Sequence, residues 1–230
     1  MHDPKAPIRT QAVIFDMDGV LTDSEPLICA AAIAMFREHG VRAQPEDFLP
    51  FMGTGEDRYI GGVAKRHGVT LDLQAAKHRT YEIYLQELPS RLRAFPGATA
   101  FVRHCRDAGL RIAVASSADW IKVAANLNAI GLPPEEWDVI VTAQDVQHKK
   151  PAPDIFLAAA RKLGLPPSAC VVIEDAITGI DAAVTAGMRC IAVAQSFPAS
   201  RLSHADLVKP AIADVTIEDV IQAGKADAAG

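Results

Sequence analysis

Short apolar runs recur along the chain, and each is rich in Val or Ile with no alternating polar positions. The runs are Ala12–Phe15, Ile112–Ala115, Val139–Val141, Val171–Ile173 and Ile191–Ala194. Such runs are typical of strands that are buried on both faces, as in a parallel sheet. Helical patterns that end close to glycines separate the later runs, at Ala98–Ala108, Trp120–Asn128, Ile155–Leu163 and Ile180–Ala186. The alternation predicts an α/β fold with an open, doubly wound parallel sheet and right-handed crossovers.

The stretch between the first and second apolar runs has a different pattern. Helical periodicity dominates it, at Pro26–Glu38, Glu56–His67 and Leu73–Leu88. We therefore predict a catalytic core formed by residues 1–23 and 96–230, with an all-helical cap at residues 24–95. The connections Asp23–Glu25 and Pro89–Phe95 would be hinges. A helical insertion directly after the first strand would stand over the end of that strand as a lid that excludes water and selects the substrate.

Composition and charge narrow the class of protein. The chain has 230 residues, of which 50% are hydrophobic and 22% charged, and its formal net charge is −5. These values predict a globular protein and argue against nucleic acid or an anionic membrane as the main partner. No apolar stretch approaches the roughly 18 residues that a membrane span needs. The four cysteines are widely spaced with no CxxC pair, so we expect reduced thiols and a cytoplasmic location. We also expect a monomer or weak homo-oligomer.

Two carboxylates come directly after the first predicted strand. Asp16 and Asp18 are two residues apart, and Gly19 comes next. Strand periodicity can send both side chains to the same side as the chain leaves the sheet. Like charges held so close repel each other unless a cation or a division of roles makes the arrangement useful. One carboxylate could attack an electrophile while the other carries a proton.

Polar side chains also follow the later strands. Ser116 and Ser117 follow the second run, Lys150 closes the loop after the third, and Glu174-Asp175 follows the fourth. Ligands of open α/β sheets bind at the carboxyl ends of the strands, so these groups are predicted to converge with the two aspartates. Four acids with one lysine suggest Mg²⁺, and serine and lysine could then hold a phosphoryl group. Taken singly, the serines could cap a helix and the lysine and acids could be solvated.

These motifs resemble, in order, the four signature motifs of the haloacid dehalogenase superfamily, and the resemblance covers nearly the whole chain. They are Asp16-x-Asp18-Gly19-Val20, Ser116, Lys150-Pro-Ala-Pro-Asp154 and Glu174-Asp175. The resemblance implies a Rossmann-like core with a small helical cap, dependence on Mg²⁺ and an aspartyl-phosphate intermediate.

The same resemblance implies a role for each motif residue. Asp16 would be the nucleophile and a metal ligand. Asp18 would be the general acid and base, with its main-chain carbonyl on the metal. Ser116 and Lys150 would bind the phosphoryl group, and Asp175, with Glu174, would complete the metal site.

Two segments, Asp23–Pro26 and Lys150–Phe156, are typical of one group within the superfamily. By them the chain resembles the β-phosphoglucomutase and phosphatase group with helical caps. It departs from the mutase pattern at Ile28, where mutases have a histidine, and at Ala118-Asp119, where they have serine and lysine. An acidic segment, Gly53–Asp57, also replaces the cap arginine that grips a second phosphate, and it is a poor partner for such a group. These departures favour a phosphatase that acts on a small phosphorylated metabolite, with sugar phosphates as candidates. A hexose-phosphate mutase and a non-catalytic phospholigand-binding module are the alternatives.

Candidate substrate contacts in the cap region are Thr54, Gly55, Glu56 and Arg58, joined by Ser117 from the core. The pattern Thr54-x-x-Asp57 can be interpreted as a helix cap with its reciprocal acid or as a substrate contact. The segments Phe51–Glu56 and Gly61–Val63 resemble a subgroup that occurs as free-standing bacterial proteins and as a hydrolase domain of larger chloroplast proteins. That resemblance gives no secure substrate.

Overall fold

The computed structural model describes residues 10–222 and contains a six-stranded, fully parallel sheet. Its strands are β1 (Ala12–Phe15), β2 (Arg111–Ala115), β3 (Val139–Val141), β4 (Cys170–Glu174), β5 (Arg189–Val193) and β6 (Leu207–Lys209). The spatial order is β3-β2-β1-β4-β5-β6, with every neighbouring pair parallel. The predicted fold class is therefore confirmed. Because β1 lies between β2 and β4, the residues that follow β1 emerge at the centre of the sheet edge.

Both faces of β1 are buried, which explains why its sequence is continuously apolar. Val13 and Phe15 face one apolar cluster, and Phe15 packs edge-on against Phe101 and Trp137 at centroid distances of 6.0 and 5.9 Å. The alternate residues, Ala12 and Ile14, face the cluster on the other side of the sheet. A strand in this position has no solvent-facing side, so polar alternation is absent.

Helices cover the sheet and form the insertion after β1. They are α1 (Glu25–Glu38), α2 (Pro45–Phe48), α3 (Glu56–Arg66), α4 (Leu73–Arg91), α5 (Ala98–Asp107), α6 (Trp120–Ala129), α7 (Asp154–Leu163), α8 (Ile177–Thr185) and α9 (Ile217–Gln222). The first four pack around an apolar cluster of their own, in which Phe36, Phe48 and Tyr84 are almost fully buried. That cluster also contacts Ala125 and Ile130, so the insertion packs on the α6 side of the core.

Some elements differ from the sequence prediction. The strand β6 was not predicted because it is a short edge strand whose residues are only half-buried, and it lacks a continuous apolar run. The helix α8 begins at Ile177 rather than Ile180, since Thr178-Gly179 interrupts the apolar pattern without interrupting the helix. The ends of the predicted core, residues 1–9 and 223–230, lie outside the described residues. Within residues 10–222, no helix has both the length and the apolar character that a membrane crossing requires.

Candidate active site

A cavity opens at the carboxyl end of β1, between the sheet and the inserted helices. The sheet side of its wall includes Asp16, Asp18, Ser117, Lys150, Glu174 and Asp175. The side formed by the insertion includes Glu25, Ile28, Phe51, Met52, Glu56 and Tyr59. The structure thus brings residues at or after the ends of four different strands, β1 to β4, to one place, as the parallel topology requires.

Three carboxylates form a buried cluster in this cavity. Asp16, Glu174 and Asp175 are 7%, 1% and 5% exposed, and each offers an oxygen within 4.8 Å of the others. The Lys150 Nζ lies 2.5 Å from Asp16 Oδ1 and 2.6 Å from Glu174 Oε1. One ammonium among three carboxylates leaves a surplus of two negative charges in a buried place. An all-oxygen donor set with that surplus fits a hard divalent cation such as Mg²⁺.

Burial and the same excess of negative charge raise the pKa values of two carboxyl groups in the cluster. Burial raises the pKa of Asp16 to about 7, and the charges of Glu174 and Asp18 add to the effect while Lys150 opposes it. Burial also raises the pKa of Asp175 well above its usual range, with Glu174 and Asp16 as further causes. Burial alone would lower the pKa of Lys150, but the attraction of Asp16 and Glu174 outweighs it and the net change is upward. A cation bound by these carboxylates would favour their charged forms.

Two glycines make room for the carboxylates. Gly19 has a φ of +88°, and a Cβ there would lie 2.0 Å from Asp175 Oδ2. At Gly179, on the first turn of α8, a Cβ would lie 1.7 Å from Glu174 Oε1. The other oxygen of Glu174, Oε2, accepts hydrogen bonds of 2.7 Å from the backbone N–H groups of Asp175 and Ala176. These contacts fix Glu174 in one orientation beside Lys150.

The second aspartate, Asp18, has different partners from Asp16. Its Oδ2 accepts from Lys122 Nζ at 2.9 Å, and its Oδ1 accepts from Ser24 Oγ and, at 3.4 Å, from Asn126 Nδ2. Asn126 in turn accepts a 2.7 Å hydrogen bond from the Tyr84 hydroxyl of α4. Asp18 is therefore oriented by α6 and by contacts that reach the inserted helices, whereas Asp16 belongs to the carboxylate cluster. The two environments suit the division of roles that the Asp16-x-Asp18 motif suggested.

The sequence interpretation missed Lys122. This side chain is 3% exposed and lies between Asp18 and Glu56, with Nζ 3.1 Å from Glu56 Oε1. A lysine in an amphipathic helix pattern is usually solvent-exposed, so nothing at position 122 itself indicated burial. The available signal was indirect: an acidic segment such as Gly53–Asp57 needs a cation if it is buried.

The acidic segment is in fact compensated by lysines. Besides the pair between Glu56 and Lys122, Asp57 lies 2.9 Å from Lys77 Nζ and 2.6 Å from Lys149 Nζ. Lys77 also reaches Asp119, at 2.9 Å. Lys149 and Asp119 belong to the sheet side and Asp57 and Lys77 to the insertion, so these pairs connect the two parts.

Replacing Lys122 by methionine is expected to lower the free energy of unfolding by about 3 kcal/mol, because a buried Glu56 carboxylate would lose its cation. Urea denaturation measures the change. The matched control is Lys162→Met, since Lys162 pairs with Asp145 at 2.7 Å but its side chain is 43% exposed. That control should change stability by no more than about 1 kcal/mol. Equal effects of the two substitutions would contradict the importance of the buried pair.

The remaining predicted residues divide into those that line the cavity and those that do not. Ser117, Gly55 and Glu56 line it, and the buried Ser117 hydroxyl has no hydrogen-bond partner within residues 10–222. Ser116 is 1% exposed and does not line the cavity; its Oγ accepts a 3.2 Å hydrogen bond from the Ala118 N–H. Arg58 is exposed and lies outside the cavity wall.

Thr54 also lies outside the cavity wall, and the interpretation of Thr54-x-x-Asp57 as a helix cap is wrong. The N-cap residue of α3 is Gly55, and no side chain between residues 10 and 222 caps the helix. The Thr54 hydroxyl instead donates a 2.7 Å hydrogen bond to the Phe51 carbonyl. The reciprocal acid is not available for capping because Asp57 is held by two lysines.

Comparison with known proteins agrees with the motif resemblance. The family model described as a hydrolase, haloacid dehalogenase-like hydrolase, matches residues 10–187. Protein SUPPRESSOR OF QUENCHING 1, chloroplastic, of Arabidopsis thaliana is 49% identical over 221 residues, covering 94% of this chain and 21% of that protein. The chain thus spans about a fifth of that relative's length. Hexitol phosphatase A of Escherichia coli (strain K12) is 34% identical over 215 residues, covering 91% of this chain and 95% of that protein.

A solved structure shares the fold over nearly its whole length. CbbY from Rhodobacter sphaeroides, crystallised as a mutant in complex with xylulose-(1,5)bisphosphate, matches with a TM-score of 0.84 and 28% sequence identity. The match covers 92% of this chain and 99% of that chain. The fold of this chain is therefore shared with a solved structure.

Proposed function

The chain belongs to the haloacid dehalogenase-like hydrolases, and on that premise we propose that it is a magnesium-dependent phosphatase of small phosphorylated metabolites. The observation that carries the proposal is the buried cluster of Asp16, Glu174 and Asp175 around Lys150, with Asp18 beside it in a separate network. Hexitol phosphatase A, a relative that matches nearly end to end, supports a phosphorylated sugar or sugar alcohol as the substrate class.

The residues suited to hold Mg²⁺ are Asp16, Asp175 and Glu174, joined by the main-chain carbonyl of Asp18. The ion would supply positive charge to the phosphoryl oxygens, which carry the negative charge that spreads in the transition state. Lys150 adds a fixed positive charge at the same place, held by its contacts with Asp16 and Glu174. The Ser117 hydroxyl, which is buried at the cavity wall without a partner within the described residues, would donate to a phosphoryl oxygen.

The chemistry then follows from the two aspartates. An Asp16 carboxylate oxygen attacks phosphorus and forms an aspartyl phosphate while the bond from phosphorus to the ester oxygen breaks. Asp18 donates its proton to the departing ester oxygen. Asp18 next takes a proton from a water molecule, whose oxygen attacks phosphorus and restores the Asp16 carboxylate with release of inorganic phosphate.

We assign residues 24–95 the role of a lid over this chemistry. Three contacts between the insertion and the core support the assignment: Glu56 with Lys122, Asp57 with Lys149, and Tyr84 with Asn126. All three lie beside the cavity or beside Asp18. A lid held by them would keep bulk water away from the aspartyl phosphate while the leaving group is still bound.

Phosphate release from a panel of phosphorylated metabolites, with and without Mg²⁺, tests the proposed function. We expect release that requires the metal and that disappears after chelation, because the carboxylate cluster alone repels a phosphate dianion. The panel includes β-glucose 1-phosphate primed with a bisphosphate and followed for glucose 6-phosphate. Isomer formation without phosphate release would identify a mutase instead, and binding of esters with no turnover would identify a phospholigand-binding module.

A further inference from the structure

The side of the cavity formed by α1 and α3 carries acids that the proposed chemistry does not use. Glu25 lies at the start of α1 and Glu56 at the start of α3, and both line the cavity. Glu56 is paired with Lys122, whereas Glu25 forms no ion pair within residues 10–222. Burial raises the pKa of Glu25, with Lys122 and the adjacent Tyr59 hydroxyl as the opposing influences.

A buried hydroxyl stands beside these acids. Tyr59 of α3 is 5% exposed and lines the cavity, yet its hydroxyl forms no hydrogen bond of normal geometry within the described residues. It lies close to Glu25 and Cys29, and burial with those two neighbours raises the pKa of the phenol. A buried hydroxyl that lacks a well-aligned hydrogen-bond partner costs free energy that a bound ligand can recover.

The charges on this side of the cavity decide which ligands it accepts. Two carboxylates, Glu25 and Glu56, face one ammonium, that of Lys122, which Asp18 also engages. A second phosphate or a carboxylate on the substrate would meet net negative charge there and, among the described residues, no cation that is free of an acidic partner. An alcohol hydroxyl, in contrast, can donate to a carboxylate and accept from the Tyr59 phenol. The neighbouring Ile28, Phe51 and Met52 offer apolar contact to a carbon chain.

We propose that Glu25, Tyr59 and Glu56 form a subsite for the uncharged, hydroxyl-bearing part of a phosphate monoester, and that this subsite rejects substrates with a second anionic group. The inference rests on the proposed phosphatase function and narrows its substrate class. It makes Glu25 and Tyr59 specificity-determining residues, a role that their sequence positions did not indicate.

The test compares substrates that differ in one group. Glucitol 6-phosphate and 6-phosphogluconate differ only in a hydroxymethyl group against a carboxylate at the far end of the chain. We expect kcat/KM to be about tenfold or more higher for glucitol 6-phosphate. Hexyl phosphate, which lacks the hydroxyls, should also be about tenfold poorer than glucitol 6-phosphate.

Substitutions in the subsite test which residues cause these differences in kcat/KM between substrates. Glu25→Gln should narrow the preference for glucitol 6-phosphate over 6-phosphogluconate by about threefold or more, because a negative charge is removed. Tyr59→Phe should raise KM more for glucitol 6-phosphate than for hexyl phosphate, because only the former loses a hydrogen bond. The matched control is Glu87→Gln, since Glu87 is an exposed residue of α4 that pairs with Arg91, and it should leave both ratios unchanged.

A further substrate, p-nitrophenyl phosphate, distinguishes failure of the proposed phosphatase function from failure of the proposed subsite. If p-nitrophenyl phosphate and all three esters release no phosphate in the presence of Mg²⁺, the phosphatase function itself is wrong. If p-nitrophenyl phosphate is hydrolysed but 6-phosphogluconate equals or exceeds glucitol 6-phosphate, only the proposed subsite is wrong. Unchanged ratios in both Glu25→Gln and Tyr59→Phe would also overturn it.

Discussion

Asp16→Asn is expected to lower the rate of phosphate release by about four orders of magnitude or more, because an amide cannot replace a carboxylate as the nucleophile. The substitution also removes one of three negative charges from the cluster around Lys150. Glu174 would still pair with Lys150, at 2.6 Å, so the buried ammonium keeps a partner. We therefore expect loss of turnover without loss of the fold.

Steady-state phosphate release and urea denaturation together measure this outcome. Mass spectrometry of acid-quenched enzyme should find a phosphoryl group on Asp16 in the unsubstituted protein and none in Asp16→Asn. The control is Asp181→Asn, which makes the same chemical change on α8 at a side chain that is 41% exposed and paired with His204. Retained turnover in Asp16→Asn would rule out Asp16 as the nucleophile.

The positions of the strand-end residues were predictable because few conformations are open to them. A strand such as β1, buried on both faces, must leave the sheet at its carboxyl end, and parallel neighbours end at the same edge. The sequence was therefore sufficient to predict that Asp16, Lys150 and Glu174 converge. In the structure the Lys150 ammonium donates hydrogen bonds to both carboxylates.

Residues contributed by helices were harder to predict. Lys122, Glu25 and Tyr59 reach the cavity from α6, α1 and α3, and their approach depends on how the insertion packs on the core. A helix pattern specifies which face is apolar but not which polar residue at its edge faces a neighbouring helix. The pairing of Lys122 with Glu56 is a tertiary contact between residues far apart in sequence, and no local pattern encodes it.

The interpretation of Thr54-x-x-Asp57 failed for a related reason. The capping pattern is local, and in isolation a threonine followed by an acid favours a capped helix. Tertiary ion pairs with Lys77 and Lys149 compete for Asp57, and two charge-assisted contacts outweigh one hydrogen bond to a backbone N–H. Local rules are least reliable where ionisable side chains from separate elements converge.

Asp18→Asn is expected to slow turnover of alkyl phosphates by about 10²- to 10⁴-fold, because an amide cannot give a proton to an alkoxide leaving group. The substitution should be tolerated structurally. Lys122 keeps its contact with Glu56, and an asparagine oxygen can still accept from Lys122 or Ser24. The loss would then reflect proton transfer rather than misfolding, and urea denaturation checks that assumption.

The leaving group distinguishes the two steps in which Asp18 acts. p-Nitrophenolate departs without a proton, so formation of the aspartyl phosphate should survive in Asp18→Asn with that ester. Hydrolysis of the intermediate still needs a base, so we expect a burst of p-nitrophenolate stoichiometric with enzyme, followed by slow turnover. Alkyl esters should give no burst, because the first step, formation of the aspartyl phosphate, already fails.

The control variant is Ser24→Ala, which removes one contact of Asp18 but keeps its carboxylate. It should slow the turnover of both kinds of ester without a burst. Normal turnover of an alkyl ester by Asp18→Asn would show that another group carries the proton.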